Sequence, residues 1–117
     1  MDLETLRNFC KKLPGATEDV KWENDLCFMV GNKMFCITGF GVPLKASMKA
    51  TDDDFEELVN RPDIIPAPYL ARYKWISIQD PDALTRKEWE HYVKKSYELV
   101  KAKLPKKVLK EHGLTTK

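Results

Sequence analysis

The chain has 117 residues, of which 43% are hydrophobic and 32% are charged, and its formal net charge is only +2. A chain of this size and mixture supports one packed core, which excludes a largely disordered chain and predicts a single domain. No apolar run approaches the roughly 18 residues that a membrane span needs, and the acidic amino terminus, MDLETLRNF, is unlike a secretory signal. We therefore expect a cytoplasmic protein with no membrane partner.

The first predicted element is a helix. Apolar residues recur at helical spacing at Leu3, Leu6, Cys10 and Leu13. Asp2 can cap the start of this helix, and Pro14-Gly15 ends it. The next segment, Glu18 to Trp22, fits either a short strand or an extended lead-in, and both interpretations stay open.

The clearest β pattern is a hairpin from Leu26 to Thr38. Two apolar runs flank Gly31-Asn32, and a pair that contains glycine supplies the positive φ angles of a tight turn. With a two-residue loop, one face of the hairpin carries the pairs Cys27–Cys36 and Met29–Met34, and the other carries the pair Phe28–Phe35.

The predicted Cys27–Cys36 pair allows more than one chemistry. Two facing thiols beside methionines suit a disulfide or a soft metal ion such as Cu(I). Free cysteine and methionine are also common fillers of protein cores, and the spacing of the three cysteines lacks the CxxC motif of zinc and redox sites. We favour buried, reduced thiols, with no metal site and no cofactor.

A further strand is predicted from Val42 to Ala46, after the turn at Gly39 to Gly41. Pro43 places this strand at an edge or a bulge, because proline cannot donate to a β-ladder. Together with the hairpin, this strand makes the predicted sheet an antiparallel meander.

A short acidic helix follows, with Thr51 as its N-cap. Asp52 to Asp54 stand in its first turn, where carboxylates oppose the positive end of the helix dipole. These carboxylates lack the glycine-punctuated spacing of a calcium loop, so we assign them to capping.

The segment from Arg61 to Lys74, RPDIIPAPYLARYK, is predicted to be a long, irregular loop. It holds three prolines and leads into a last short strand, Trp75 to Ile78. Loops of this length in small domains are often functional.

The longest predicted helix begins with the capping box Thr85 to Glu88 and ends at Pro105. One apolar stripe is expected to face the core: Trp89, Tyr92, Val93, Ser96, Tyr97, Val100 and Leu104. We expect one α+β domain over residues 1–105 and a basic tail over residues 106–117 that is flexible, frayed or only partly helical. Residues 85–117 carry 10 basic and 4 acidic groups, an asymmetry that suits a polyanion partner or simple solvation.

No catalytic constellation is evident. His91 and His112 are the only histidines, and neither has an evident Ser or Cys partner with an orienting carboxylate. The phosphate-binding motifs GxxxxGK[ST] and GxGxxG are also missing. We therefore predict no catalytic residue and interpret the chain as a binding module rather than an enzyme.

Cations and aromatic residues gather around two connections of the chain. Aromatic rings stack on bases while Lys and Arg neutralise phosphates, so this combination indicates nucleic-acid binding. The predicted site residues are Lys45, Lys49, Tyr69, Arg72, Lys74 and Trp75. The alternative is that the aromatic side chains anchor the core or the loop and the charges solvate the surface.

Several segments in order resemble the MmcQ/YjbR family of small bacterial proteins: LPGATEDVKW, VGNKMFCI, VPLKAS, PAPYLARYKWISI and KKSYELVKAKLPKK. The resemblance covers nearly the whole chain. It implies a fold similar to CyaY and frataxin, with an antiparallel sheet and the N- and C-terminal helices on one face. It also implies DNA binding through a double wing. The loop from Tyr69 to Trp75 departs from the family pattern, because it lacks the histidine and asparagine that relatives often carry there.

Two functional hypotheses follow. The first is a cytoplasmic DNA-binding or regulatory module that uses the predicted basic and aromatic residues. The second is a protein- or small-ligand-binding domain that uses the proline-rich loop 61–75, without catalysis.

Overall fold

An antiparallel sheet forms the centre of the fold. The computed structural model describes residues 1–22 and 24–114. Within them the sheet has six strands: β1 (Thr17–Lys21), β2 (Asp25–Val30), β3 (Lys33–Thr38), β4 (Ala46–Lys49), β5 (Ile64–Pro66) and β6 (Trp75–Ile78). The same residues form four α-helices: α1 (Leu3–Lys12), α2 (Asp52–Leu58), α3 (Arg86–Ala102) and α4 (Lys106–Glu111). The predicted α+β class is therefore confirmed.

The spatial order of the strands is β1-β2-β3-β4-β6-β5. The first four strands follow one another as a meander, as predicted, and the segment Glu18 to Trp22 contributes most of β1. β5 lies outside β6 as the second edge strand. Part of the loop predicted from Arg61 to Lys74 is therefore a strand.

The core lies between the sheet and the helices. Side chains in register across four strands form a buried lateral row: Phe28, Cys36, Met48 and Ile76. Leu6 of α1 and Trp89 and Val93 of α3 belong to the same core. The Trp89 indole Nε1–H donates to the Pro81 carbonyl at 2.8 Å, which gives the buried polar atom its partner. The N- and C-terminal helices thus cover one face of the sheet, as predicted.

The hairpin confirms part of the predicted register and corrects the rest. Gly31 and Asn32 both adopt positive φ angles, and Met29 pairs with Met34. Beyond this point a β-bulge inserts Phe35 as an extra residue, so Phe28 pairs with Cys36 and Cys27 pairs with Ile37.

The predicted Cys27–Cys36 and Phe28–Phe35 pairs are therefore wrong. The bulge shifts the register by one residue, which places Cys27 and Cys36 on opposite faces of the sheet. All three cysteines are buried and unpaired, as favoured. A hydrogen bond with Cys36, together with burial, raises the pKa of the Cys10 thiol.

Ser96 of α3 supports the bulged strand. Its hydroxyl donates to the Phe35 carbonyl at 2.6 Å and accepts from the Lys49 amide at 2.9 Å. The fully buried hydroxyl therefore ties α3 to β3 and β4 at once.

The strand predicted from Val42 to Ala46 begins later than expected, at Ala46. Val42-Pro43 is a cis peptide bond that lies before the strand. β4 is hydrogen-bonded to β3 on one side and to β6 on the other, and a central strand cannot accommodate Pro43. The prediction that this strand lies at an edge of the sheet is wrong, because β4 pairs with a strand on each side.

The helix caps follow the sequence signals. The Thr51 side chain accepts from the Asp54 amide, and Thr85 and Glu88 form the predicted capping box. In the described residues no helix is both long and apolar enough to span a bilayer.

Part of the carboxyl-terminal segment that was expected to form a tail is helical. Residues 106–111 form α4, and Leu114 after it is buried. α3 ends at Ala102, three residues before the predicted end at Pro105, and Pro105 serves as the N-cap of α4. Residues 115–117 of the predicted tail lie outside the described part of the chain.

Candidate nucleic-acid interface

Residues 67–74, which we call the Tyr69 loop, fold back across the sheet face opposite the helices. Ala67, Pro68 and Leu70 line a shallow cleft with Ser47 and Ser77, two paired residues of that face. Backbone hydrogen bonds close the loop, including one of 3.0 Å from the Ala67 amide to the Trp75 carbonyl. A turn of 3₁₀ helix occupies residues 71–73. The loop is therefore an ordered part of the fold.

Tyr69 stands at the tip of this loop. Its side chain is 99% exposed, and its φ angle is +66°. A non-glycine residue with positive φ is uncommon, and the surrounding hydrogen bonds must hold it there. The loop thus orders the backbone from which a large aromatic ring projects into solvent.

Arg72 and Tyr73 lie beside it as a pair. The Arg72 guanidinium donates to the Tyr73 hydroxyl at 2.8 Å and lies 4.8 Å from the centre of the Tyr73 ring. Tyr73 is 49% exposed, and Arg72 is exposed as well. A guanidinium stacked on a half-exposed ring offers both a cation and an aromatic face to a ligand.

Lys49 supports the loop from β4. Its ammonium donates to the Tyr73 carbonyl at 2.7 Å. Burial is the main cause that lowers the pKa of Lys49, and repulsion from Lys103 lowers it further. Attraction to Asp52 partly opposes this shift. Lys49 therefore fixes the position of the loop and adds positive charge beneath it.

Lys45 and Lys74 lie at the margins of the site. Lys45 is exposed and lines the cleft beneath the loop, and along the extended chain it lies on the same face as Lys49, about 13 Å away. The Lys74 ammonium lies 5.0 Å from the centre of the Phe55 ring of α2. Lys74 is therefore directed away from the tip of the loop.

Trp75 corrects the predicted site. It pairs with Lys49 within the sheet and is only 7% exposed, because the Tyr69 loop folds over this face. A buried indole cannot stack on a base. The structure therefore brings together Lys49, Arg72 and Tyr73, presents Tyr69, places Lys45 and Lys74 at the margins, and removes Trp75 from the contact surface.

A second basic surface lies outside the predicted set, along the end of α3 and α4. The charge excess of residues 85–117 was its signal in the sequence. The sequence did not predict how these lysines are grouped, because the tail that carries those of α4 was expected to be flexible, frayed or only partly helical.

One family model matches most of the chain. The model of the YjbR family matches residues 11–99. A search of the curated proteins found no significant match.

Two solved structures have a similar fold. A Deinococcus radiodurans protein with a DUF419 domain superposes with a TM-score of 0.83 at 27% identity, over 97% of this chain and 88% of that one. A Pseudomonas syringae protein superposes with a TM-score of 0.69 at 19% identity, over 85% of this chain and 98% of that one, and shows the fold alone. Because the family model covers most of the chain, the chain belongs to the YjbR family.

Proposed function

We propose that this protein is a binding module that contacts nucleic acid, and DNA in particular, through the Tyr69 loop. The observation that carries the proposal is the 99% exposure of Tyr69 on a hydrogen-bonded loop, beside the stacked Arg72–Tyr73 pair. Exposed rings stack on bases irrespective of sequence, and the adjacent cations neutralise phosphates. A preordered loop also avoids much of the entropy cost of ordering on binding.

The roles of the individual residues follow from their positions. Tyr69 and Tyr73 are the stacking residues, and Arg72 contacts phosphate or stacks with them. Lys45 extends the positive charge along the face of the sheet. Lys49 acts as a positioning residue, because its ammonium is already bonded to the loop.

A small ligand is the second candidate, and one cleft favours it. The cleft under the Tyr69 loop has a volume of about 250 Å³ and is lined by polar groups that include Asp25, Lys45 and Ser77. Typical pockets for drug-sized ligands start near 300 Å³, so only a small polar molecule fits this one. The exposed Tyr69 does not line the cleft, which is why we rank this candidate second.

The proposal includes a cytoplasmic location and no catalytic activity. His91 is exposed on α3, with its ring edge-on to Tyr92, and burial raises the pKa of the Cys27 thiol. Neither arrangement supplies an activated nucleophile or base.

The test is fluorescence anisotropy of labelled single-stranded and duplex DNA at several salt concentrations. We expect Tyr69→Ala to lower the affinity for single strands about fivefold or more, because stacking contributes about 1–3 kcal/mol per base. Arg72→Ala should reduce the slope of log affinity against log salt by about 0.7 for a single strand.

Phe40→Ala is the matched control, because Phe40 is a 52% exposed aromatic residue outside the Tyr69 loop. It should leave binding unchanged. No binding of wild type at low salt, or equal losses in the Tyr69 and Phe40 variants, would contradict the proposal.

A further inference from the structure

A groove of about 580 Å³ separates the end of α3 from α4. Its apolar lining comes from Tyr97, Leu109 and Leu114. Its charged lining is dominated by three lysines: Lys101, Lys106 and Lys110. Among the described residues that line the groove, Glu98 is the one acidic residue. The groove thus combines an apolar floor with a strongly positive rim.

The floor of the groove is fixed by packing on two turns. Leu104 and Val108 lie against Gly31 of the hairpin turn, and Leu114 lies against Gly15 after α1. The Tyr97 hydroxyl donates to the Pro14 carbonyl at 2.6 Å, which fixes this end of α3 to the same turn. The groove is therefore a built feature of the domain and not a gap beside a loose tail.

The lysines of the rim lack acidic partners. Among the described residues, no carboxylate lies within 4.0 Å of the ammonium groups of Lys101, Lys106 or Lys110. Lys106 and Lys110 are exposed and four residues apart, so they lie on one side of α4. The Lys101 ammonium lies 5.7 Å from the centre of the Tyr97 ring. A partner with carboxylates would supply the missing opposite charge.

We propose that this groove, the α3–α4 groove, binds an acidic amphipathic helical segment of another protein. Such a segment places apolar side chains on the floor while its carboxylates meet the three lysines. Nucleic acid fits the groove less well, because Tyr97 is only 4% exposed and offers no face for stacking. The proposal is independent of nucleic-acid binding at the Tyr69 loop.

The probe is a fluorescent synthetic peptide of about 16 residues, long enough for a marginal helix, with leucines on one helical face and glutamates on the other. A second peptide carries glutamine in place of every glutamate. We expect the acidic peptide to bind wild type in low salt and to weaken as salt is added. The glutamine peptide should bind about tenfold more weakly, because three exposed ion pairs are lost.

Two triple variants locate the site. Lys101→Gln/Lys106→Gln/Lys110→Gln should weaken binding of the acidic peptide about tenfold. The control, Lys12→Gln/Lys87→Gln/Lys94→Gln, removes the same charge from exposed positions elsewhere and should bind like wild type. Leu109→Asn should also weaken binding by removing part of the apolar floor. Thermal melts establish that each variant is folded.

Three results would overturn the proposal. The first is no binding of the acidic peptide to wild type at millimolar concentration. The second is an equal loss of binding in the two triple variants, which would indicate nonspecific charge attraction. The third is displacement of the peptide by duplex DNA whose binding depends on the same three lysines. That result would make the groove a phosphate-binding surface.

Discussion

Gly31 shows how much one residue contributes to this fold. It adopts a φ angle of +55° in the hairpin turn, and a Cβ atom there would lie 2.6 Å from Leu104 Cδ1 and 3.1 Å from Val108 Cγ1. A side chain at position 31 is therefore disfavoured both by the backbone conformation and by the packing of Leu104 and Val108. At Gly41 neither effect is present. A Cβ atom there would meet no heavy atom of the described residues within 4 Å, and the φ angle of Gly41 is not positive.

We predict that Gly31→Ala lowers the free energy of unfolding by about 2 kcal/mol or more, from left-handed strain and overpacking together. Gly113→Ala isolates the strain, because Gly113 has a positive φ angle but a Cβ atom there would meet no atom of the described residues within 4 Å, and it should cost about 1 kcal/mol. Gly41→Ala should change stability by less than about 0.5 kcal/mol. Urea unfolding measures all three, and a Gly31 variant that loses no more stability than the Gly113 variant would contradict the packing of Leu104 and Val108 on the hairpin turn.

At the scale of elements, one ion-pair network joins α2 to α3. The Arg61 guanidinium lies 2.7 Å from a Glu88 carboxylate oxygen and 3.0 Å from one of Glu57. The other Glu88 oxygen accepts from the Thr85 amide in the capping box. The pKa of Glu88 lies below its ordinary value of 4.5. The hydrogen bond from the Thr85 amide is the largest cause, and the contact with Arg61 is the second.

This network predicts a pH dependence. Because the pKa of Glu88 is lower in the folded state, the unfolded state binds more protons in the acid range, and the stabilisation is lost as the pH falls through the folded pKa. Glu88→Gln should be less stable than wild type by up to about 1 kcal/mol at neutral pH, and the difference should shrink in acid.

Unfolding measured from neutral to acid pH checks this prediction. Glu98→Gln makes the same change in net charge at an exposed position of α3 that has no ion pair within the described residues, and it serves as the control. A difference between wild type and Glu88→Gln that stayed constant with pH would contradict the account.

Local signals predicted the elements better than their pairing. Caps such as Thr51 and Thr85 depend on residues within one turn, so the sequence located both helix starts. The bulge at Phe35 depends on the packing of this residue against Tyr97 and Ser96, more than 60 positions away in sequence. Periodicity along one strand contains no information about such contacts, and the predicted register was therefore wrong beyond the turn.

The candidate site was predictable to a similar extent. Arg72 and Tyr69 were identified because a proline-rich loop with cations and rings is visible in the sequence. The burial of Trp75 was not, because it depends on the Tyr69 loop folding back over the sheet. The same limit applies to α4, whose docking on Gly15 and Gly31 joins distant parts of the chain.

At the scale of the whole molecule, the two faces of the sheet are covered by different elements. The helices bury one face and form the core, whereas the Tyr69 loop crosses the other face and presents Tyr69 and Arg72 to solvent. The α3–α4 groove lies on the helical layer, so the two proposed surfaces are built from different elements. A fold of this kind can bind two partners through separate residues, and separate substitutions should remove each activity.

The central claim is that nucleic acid binds at the Tyr69 loop, and the most direct test maps the contact on the protein itself. ¹⁵N-labelled protein is titrated with a short single-stranded oligonucleotide while amide chemical shifts are followed. The account predicts that the largest changes fall on residues 69–74 and on Lys45 and Lys49, and that Tyr69→Ala reduces them. Changes confined to Lys101, Lys106 and Lys110, or no changes at all, would contradict it.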